Sequence, residues 1–132
     1  MVKDFIKMKK INVPELELKI LNVLWRKNEP LKVQGIIDNW LDDKEPGYTT
    51  ILKKLQIMEE KNLVNHHKNG RSYSYFPTIN KDEVSHSKFK KLLGDLFSGN
   101  KLEMAAAFVK DTDLTKDELS TLIEMLQKEK DK

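Results

Sequence analysis

Apolar positions repeat with a helical period over the first half of the chain, then switch to a run that suits strands. Leu18, Leu21, Leu24 and Trp25 recur every three or four residues, and Ile20 and Val23 widen the stripe, which predicts a largely buried helix from about Pro14 to Lys27. Asn12 with Glu15 three positions on has the form of a capping box, and Pro14 suits the first turn. Asn28-Glu29-Pro30 ends this helix. Val33, Ile36, Ile37, Trp40 and Leu41 share one side of a second helix, predicted from Leu31 to about Leu41, and Asp42 to Gly47 make a charged turn. A third helix runs from Tyr48 to Asn62. Ile51, Leu52, Leu55 and Met58 form its inward face, while Thr49, Thr50, Lys53, Gln56 and, at the margin, Lys54 point outward.

Two short strands follow, Leu63–His67 and Ser72–Phe76, around Asn69-Gly70. Asn-Gly is a strong hairpin signal because a type I′ turn needs positive φ at both central residues. Three short helices with a hairpin behind them have the order of a winged helix-turn-helix, with the third helix presented outward and the hairpin as its wing. Tyr73 and Tyr75 read either as stacking aromatics for single strands or, by strand alternation, as side chains of which at least one packs on the third helix. His66 and His67 are neighbours on a strand and face opposite ways, a poor geometry for sharing a metal, and His86 stands alone. No metal ligand set is expected, and Trp25 and Trp40 are assigned to the core.

The rest of the chain is predicted helical. Asn80 to Glu83 resembles a helix start, followed by a stripe of Phe89, Leu92, Leu93, Leu96 and Phe97 and a break at Ser98-Gly99-Asn100. A short apolar helix covers Leu102 to Val109 and includes Phe108. Thr115 and Glu118 form a capping box, with Leu114 as a staple residue, and open a last helix carrying Leu119, Leu122, Ile123 and Leu126. Three slender helices cannot bury these stripes alone. Folding back on the head is one solution, and a two-fold dimer is the commoner one. The expected division is a DNA-binding domain over residues 1–79 and a helical dimerisation region over residues 80–132.

Composition narrows the function. Residues 1–80 hold 14 Lys/Arg against 10 Asp/Glu, whereas residues 81–132 hold 10 against 11. Positive charge therefore gathers in the head, where Lys53, Lys54, Lys61, Lys68 and Arg71 outnumber Glu59 and Glu60, as phosphate neutralisation requires. Cysteine is absent, which excludes disulfides and thiol chemistry. No apolar run approaches a membrane span, and the charged start does not read as a signal peptide, so a cytoplasmic protein is expected. Residues 1–11 read as a basic, frayed lead-in without a packing role. No phosphate loop, nucleophile elbow or cofactor motif occurs, so no catalytic residue and no cofactor are assigned.

At this point the residues carry a resemblance. Glu17 to Trp25 resembles the opening helix of the penicillinase-repressor and methicillin-resistance-repressor (BlaI/MecI) family. Tyr48 to Lys53 and Gln56 to Val64 resemble its recognition helix and exit, Gly70 to Pro77 its wing, and Leu92 to Gly99 the start of its dimerisation region. The segments occur in the family's order and span about residues 13–128. The resemblance implies a homodimeric repressor of an inverted-repeat operator, and a membrane sensor-protease pathway that ends in a cut within the dimerisation region. The family's scissile position falls at Ala107–Phe108, with Ala107 where the family has Asn. The family pattern also has Gly at Asn62, and small hydroxyl and Arg residues at Gln56 and Ile57. That pair points to a different operator. The missing cysteines argue against the copper-responsive branch.

The expected interface with double-stranded operator DNA comprises Tyr48, Thr49, Thr50, Lys53, Lys54, Gln56, Lys68 and Arg71. Gln pairs with adenine, Lys reaches guanine acceptors, Thr meets phosphate or a thymine methyl, and the wing-tip cations meet the backbone or minor groove. The expected self-interface comprises Phe89, Leu92, Leu93, Leu96, Phe97, Leu102, Phe108, Leu119, Leu122, Ile123 and Leu126. The alternative function is a winged helix that docks proteins and does not read DNA.

Overall fold

A computed structural model describes residues 11–132. The basic lead-in lies outside them except for Ile11, which packs against the core and so has a structural role that its sequence context did not suggest. The elements run α1 (Glu15–Lys27), α2 (Val33–Asp38), α3 (Tyr48–Glu60), β1 (Val64–Asn69), β2 (Ser72–Pro77), α4 (Lys81–Phe97), α5 (Lys101–Asp111) and α6 (Lys116–Lys130). They form two compact units that divide at Lys88 and Phe89, inside α4.

The first unit is built on α1. Ile20, Leu21, Val23 and Leu24 are buried and meet Ile36 of α2 and Ile51, Leu55 and Met58 of α3, all fully enclosed. Trp25 lies at the edge of this core, where its indole N–H donates to the Ile79 carbonyl at 3.0 Å. The expected Asn12 capping box does not form: Pro14 occupies the N-cap, and no side chain caps the helix. At the other end Asn28 takes a left-handed conformation (φ 52°), and its N–H closes on the Leu24 carbonyl.

Helix α2 is shorter than its apolar pattern predicts. Leu31 is drawn into β pairing with Tyr75, the two residues exchanging both N–H···O bonds at 2.9 and 2.8 Å. A residue committed to that pair cannot open a helix, so α2 starts at Val33. The hairpin is therefore flanked by a one-residue third strand, with β2 in the middle. In the two-stranded sheet Val64 pairs with Pro77, His66 with Tyr75 and Asn69 with Ser72.

This register also moves the turn. Gly70 and Arg71 are its two central residues, and positive φ (63°) occurs at Gly70 and not at Asn69. Positive φ at the first central position alone is what a type II′ turn requires, so the Asn69-Gly70 type I′ expectation is corrected by one residue. Asn69 instead closes the ladder, its carbonyl accepting from the Ser72 hydroxyl at 3.1 Å.

The second unit comprises the end of α4 with α5 and α6. Asn100 caps α5 by accepting from the Glu103 N–H at 3.0 Å, and Gly99 reverses the chain before it with φ 81°. Thr115 and Glu118 form the predicted reciprocal capping box, with bonds of 3.0 and 3.1 Å. No residue of α5 or α6 is buried within the chain. Phe89, Leu96, Leu102, Phe108, Ile123 and Leu126 each leave half or more of their surface exposed, Leu92 and Leu119 somewhat less, and Leu93, Phe97 and Leu122 are half-buried.

Candidate nucleic-acid interface

Helix α3 has one apolar edge and one polar edge, and the core selects between them. With Ile51, Leu55 and Met58 fixed inward at 0% exposure, the roughly 100° step per residue turns Thr49, Thr50, Lys53, Gln56 and Ile57 toward solvent. Thr49, Lys53 and Gln56 form the centre of that face. Tyr48 flanks it on the side of the wing. Lys54 lies beyond the other flank, beside Met58, and is half-buried, so it stands off the face that Lys53 occupies. Gly47 is the N-cap, and the first turn carries no acidic residue, which leaves the positive end of the helix uncompensated by charge.

The far end of α3 is locked. Asn62 adopts φ 63°, its N–H donates to the Glu59 carbonyl at 3.1 Å, and the Leu63 N–H donates to the Met58 carbonyl at 2.9 Å. This is the Schellman pattern, with Asn in the place that most often takes Gly. Beside it the Lys61 ammonium lies 2.7 Å from the carboxylate of Glu17, a residue of α1 with 2% exposure. Lys61 is thus committed to an internal pair and drops out of the basic set facing solvent. Glu59 contacts the imidazole Nδ1 of His66 on β1, so an acid at the edge of the polar face of α3 is covered by the hairpin.

Strand alternation sorts the wing. Tyr75 is buried against α3 and the start of α2, and burial pushes its phenol above the usual tyrosine value, with Glu59 adding to the effect. Tyr73 on the same face is exposed nearer the tip, its ring 4.4 Å from that of His66. On the opposite face His67 stacks on Phe76 at 4.5 Å. Lys68 and Arg71 stand exposed at the tip. Among the described residues no group of three acids or histidines could hold a metal ion. None of the described helices is long and apolar enough to cross a membrane.

One open cleft of about 370 Å³ joins these parts. Tyr48, Leu52 and Gln56 of α3 form one wall, and Arg71, Ser72, Tyr73 and Tyr75 of the hairpin form the other. Lys32, Val33 and Gln34 at the start of α2 close one side. The cleft brings Tyr48, Gln56 and Arg71 together, with Thr49 and Lys53 on the adjoining helix face and Lys68 at the wing tip. Lys32 and Gln34 join this surface without having been singled out in the sequence, and so does Tyr73, which was read there as a stacking or packing aromatic and not as part of the duplex interface. For Lys32 and Gln34 the available signal was their polarity on either side of Val33, where the second helix begins.

The profile described as penicillinase repressor matches residues 13–128, most of the chain and both units. The chain belongs to the penicillinase repressor family. This is a family of transcriptional repressors and not of enzymes. Among its members the penicillinase repressor of Bacillus licheniformis is 26% identical over 126 residues, covering 95% of this chain and 98% of that protein. The methicillin resistance regulatory protein MecI of Staphylococcus aureus (strain N315) is 20% identical over 120 residues, covering 91% and 97%. The transcriptional regulator BlaI of Mycobacterium tuberculosis (strain ATCC 25618 / H37Rv) is 30% identical over 70 residues, 53% of this chain and 51% of its own. A solution structure of monomeric B. licheniformis BlaI with the blaP half-operator covers 57% of this chain and 90% of that one, with 25% identity and a TM-score of 0.46.

Proposed function

We propose that this penicillinase repressor family member binds double-stranded operator DNA as a two-fold dimer in the cytoplasm, with residues 1–79 as the reading head and residues 80–132 as the dimerisation region. The carrying observation is the cleft shared by Tyr48 and Gln56 of α3, the start of α2 and the Arg71 wing tip, with the exposed Thr49 and Lys53 on the adjoining face of α3. An α-helix fits the major groove, and a cationic hairpin beside it reaches the backbone. In this reading Thr49, Thr50, Lys53 and Gln56 meet base edges and nearby phosphates, Tyr48 flanks them, and Lys68 and Arg71 hold the backbone. Lys54 lies off that face and acts through charge alone. The exposed apolar residues of α4, α5 and α6 supply the self-interface, since a second copy carries the same stripes.

The bond Ala107–Phe108 sits inside α5, with Ala107 half-buried and Phe108 half exposed. Cleavage there by a protease under a membrane sensor requires α5 to unwind locally first.

Footprinting on the DNA around the chain's own gene finds the operator. Gel retardation on that duplex then tests the head. Lys53→Ala with Arg71→Ala is expected to weaken binding at least a hundredfold and to lower the salt slope by about four, roughly one for each of the two cations per subunit withdrawn from DNA in the dimer. Unchanged affinity in that double variant would falsify the assigned reading face.

A further inference from the structure

Ile57 is out of keeping with its surroundings. The other aliphatic side chains of α3 and Met58 are buried or half-buried, yet Ile57 keeps 42% of its surface exposed. It stands on the outward face one turn beyond Lys53 and two turns beyond Thr50. A lone exposed isoleucine is ordinary on a protein surface. This one lies on the helix face assigned to the major groove, and its neighbour Gln56 lines the cleft shared with the wing.

The groove offers one apolar feature, the C5-methyl group of thymine. We infer that Ile57, with the methyl of Thr50 on the same flank, reads a thymine methyl in each half-site. The inference rests on the operator reading above and adds a base preference to it. Gln56 is chemically suited to the N6/N7 edge of adenine, so residues 56 and 57 together favour A·T pairs. An arginine at position 57 would instead select guanine acceptors, so the aliphatic side chain changes which base is read and also removes a cation. Glu60, exposed one turn further along the same face, repels phosphate and keeps the contact local to Ile57.

The test uses a duplex enriched by the full-length chain from a random library, with each thymine in the protected region replaced singly by deoxyuridine, which lacks only the methyl. For the wild type, one position per half-site is expected to lose affinity about fourfold, the worth of one buried methyl-sized group. Ile57→Ala is expected to bind the thymine duplex more weakly and to show no difference between thymine and uracil at that position. Ile57→Val, which keeps a branched apolar surface, should retain part of the difference. Equal binding of thymine and uracil duplexes at every position by the wild type overturns the inference while leaving operator binding intact. A thymine preference that persists undiminished in Ile57→Ala also overturns it. A chain that enriches no duplex sinks the operator reading, and the methyl contact with it.

Discussion

Replacing Lys61 with Met keeps the length of the side chain and removes the ammonium that lies 2.7 Å from the Glu17 carboxylate. Glu17 has 2% exposure, so the orphaned carboxylate has little water to turn to, whereas Lys61 retains 29%. Breaking a fully buried pair from one side costs about 3–5 kcal/mol. Because Lys61 reaches solvent, the expected loss is smaller, about 2–3 kcal/mol, still a large share of the roughly 5–15 kcal/mol by which domains are stable. Urea unfolding followed by circular dichroism reads this as a midpoint lowered by about 1–2 M at unchanged slope. The double variant Glu17→Leu with Lys61→Met removes both charges and should recover most of the loss, because an apolar pair of similar volume often replaces a buried ion pair at little cost. If Lys61→Met unfolds within about 0.5 kcal/mol of wild type, or if the double variant is less stable than the single, the pair does not tie α1 to α3 as argued.

Three further outcomes follow from the same structure. Asn62→Gly relieves the left-handed backbone at φ 63° and should raise stability by about 0.5–1 kcal/mol in the same urea assay; a loss of stability would contradict the Schellman assignment. Tyr75 keeps its phenolic proton to higher pH when folded, because burial disfavours the phenolate. The unfolded chain therefore ionises first, and stability that is complete below about pH 10 falls as pH rises through the folded value. Tyr75→Phe should flatten part of that alkaline loss in melting curves taken between about pH 9 and 11. Leu96→Glu with Leu122→Glu places charge within the exposed stripes of α4 and α6 and should yield monomers by sedimentation equilibrium, and a variant that stays dimeric would remove these helices from the self-interface.

Local patterns carried most of the architecture. The apolar period of α1 and α3, the Thr115 capping box and the alternation that puts Tyr73 and Tyr75 on one face of the wing each depend on residues within a few positions of one another. What escaped the sequence depends on partners far along the chain. Glu17 looks like an ordinary first-turn acid until Lys61 arrives beside it. Leu31 looks like the first residue of a helix until Tyr75 claims its backbone. Asn69-Gly70 holds the local signal for a turn, but cross-strand register decides which residues become central, and it chose Gly70 and Arg71. On α3 the period placed Thr49, Lys53 and Gln56 outward. The half-buried position of Lys54 and the inclusion of Lys32 and Gln34 required the packed helices.

The pairing of Leu31 with Tyr75 bears on how this protein can be re-engineered. Hairpins at the edge of a small domain are attractive parts for chimeras, since a new tip promises a new backbone contact. Here the hairpin also satisfies both backbone groups of a buried leucine at the threshold of α2. A graft that shifts the second strand by one residue, or deletes it, leaves that N–H and C=O without partners, at about 1–3 kcal/mol for each. The exchangeable part is therefore the tip, from Lys68 to Ser72. The strands beneath it belong to the core.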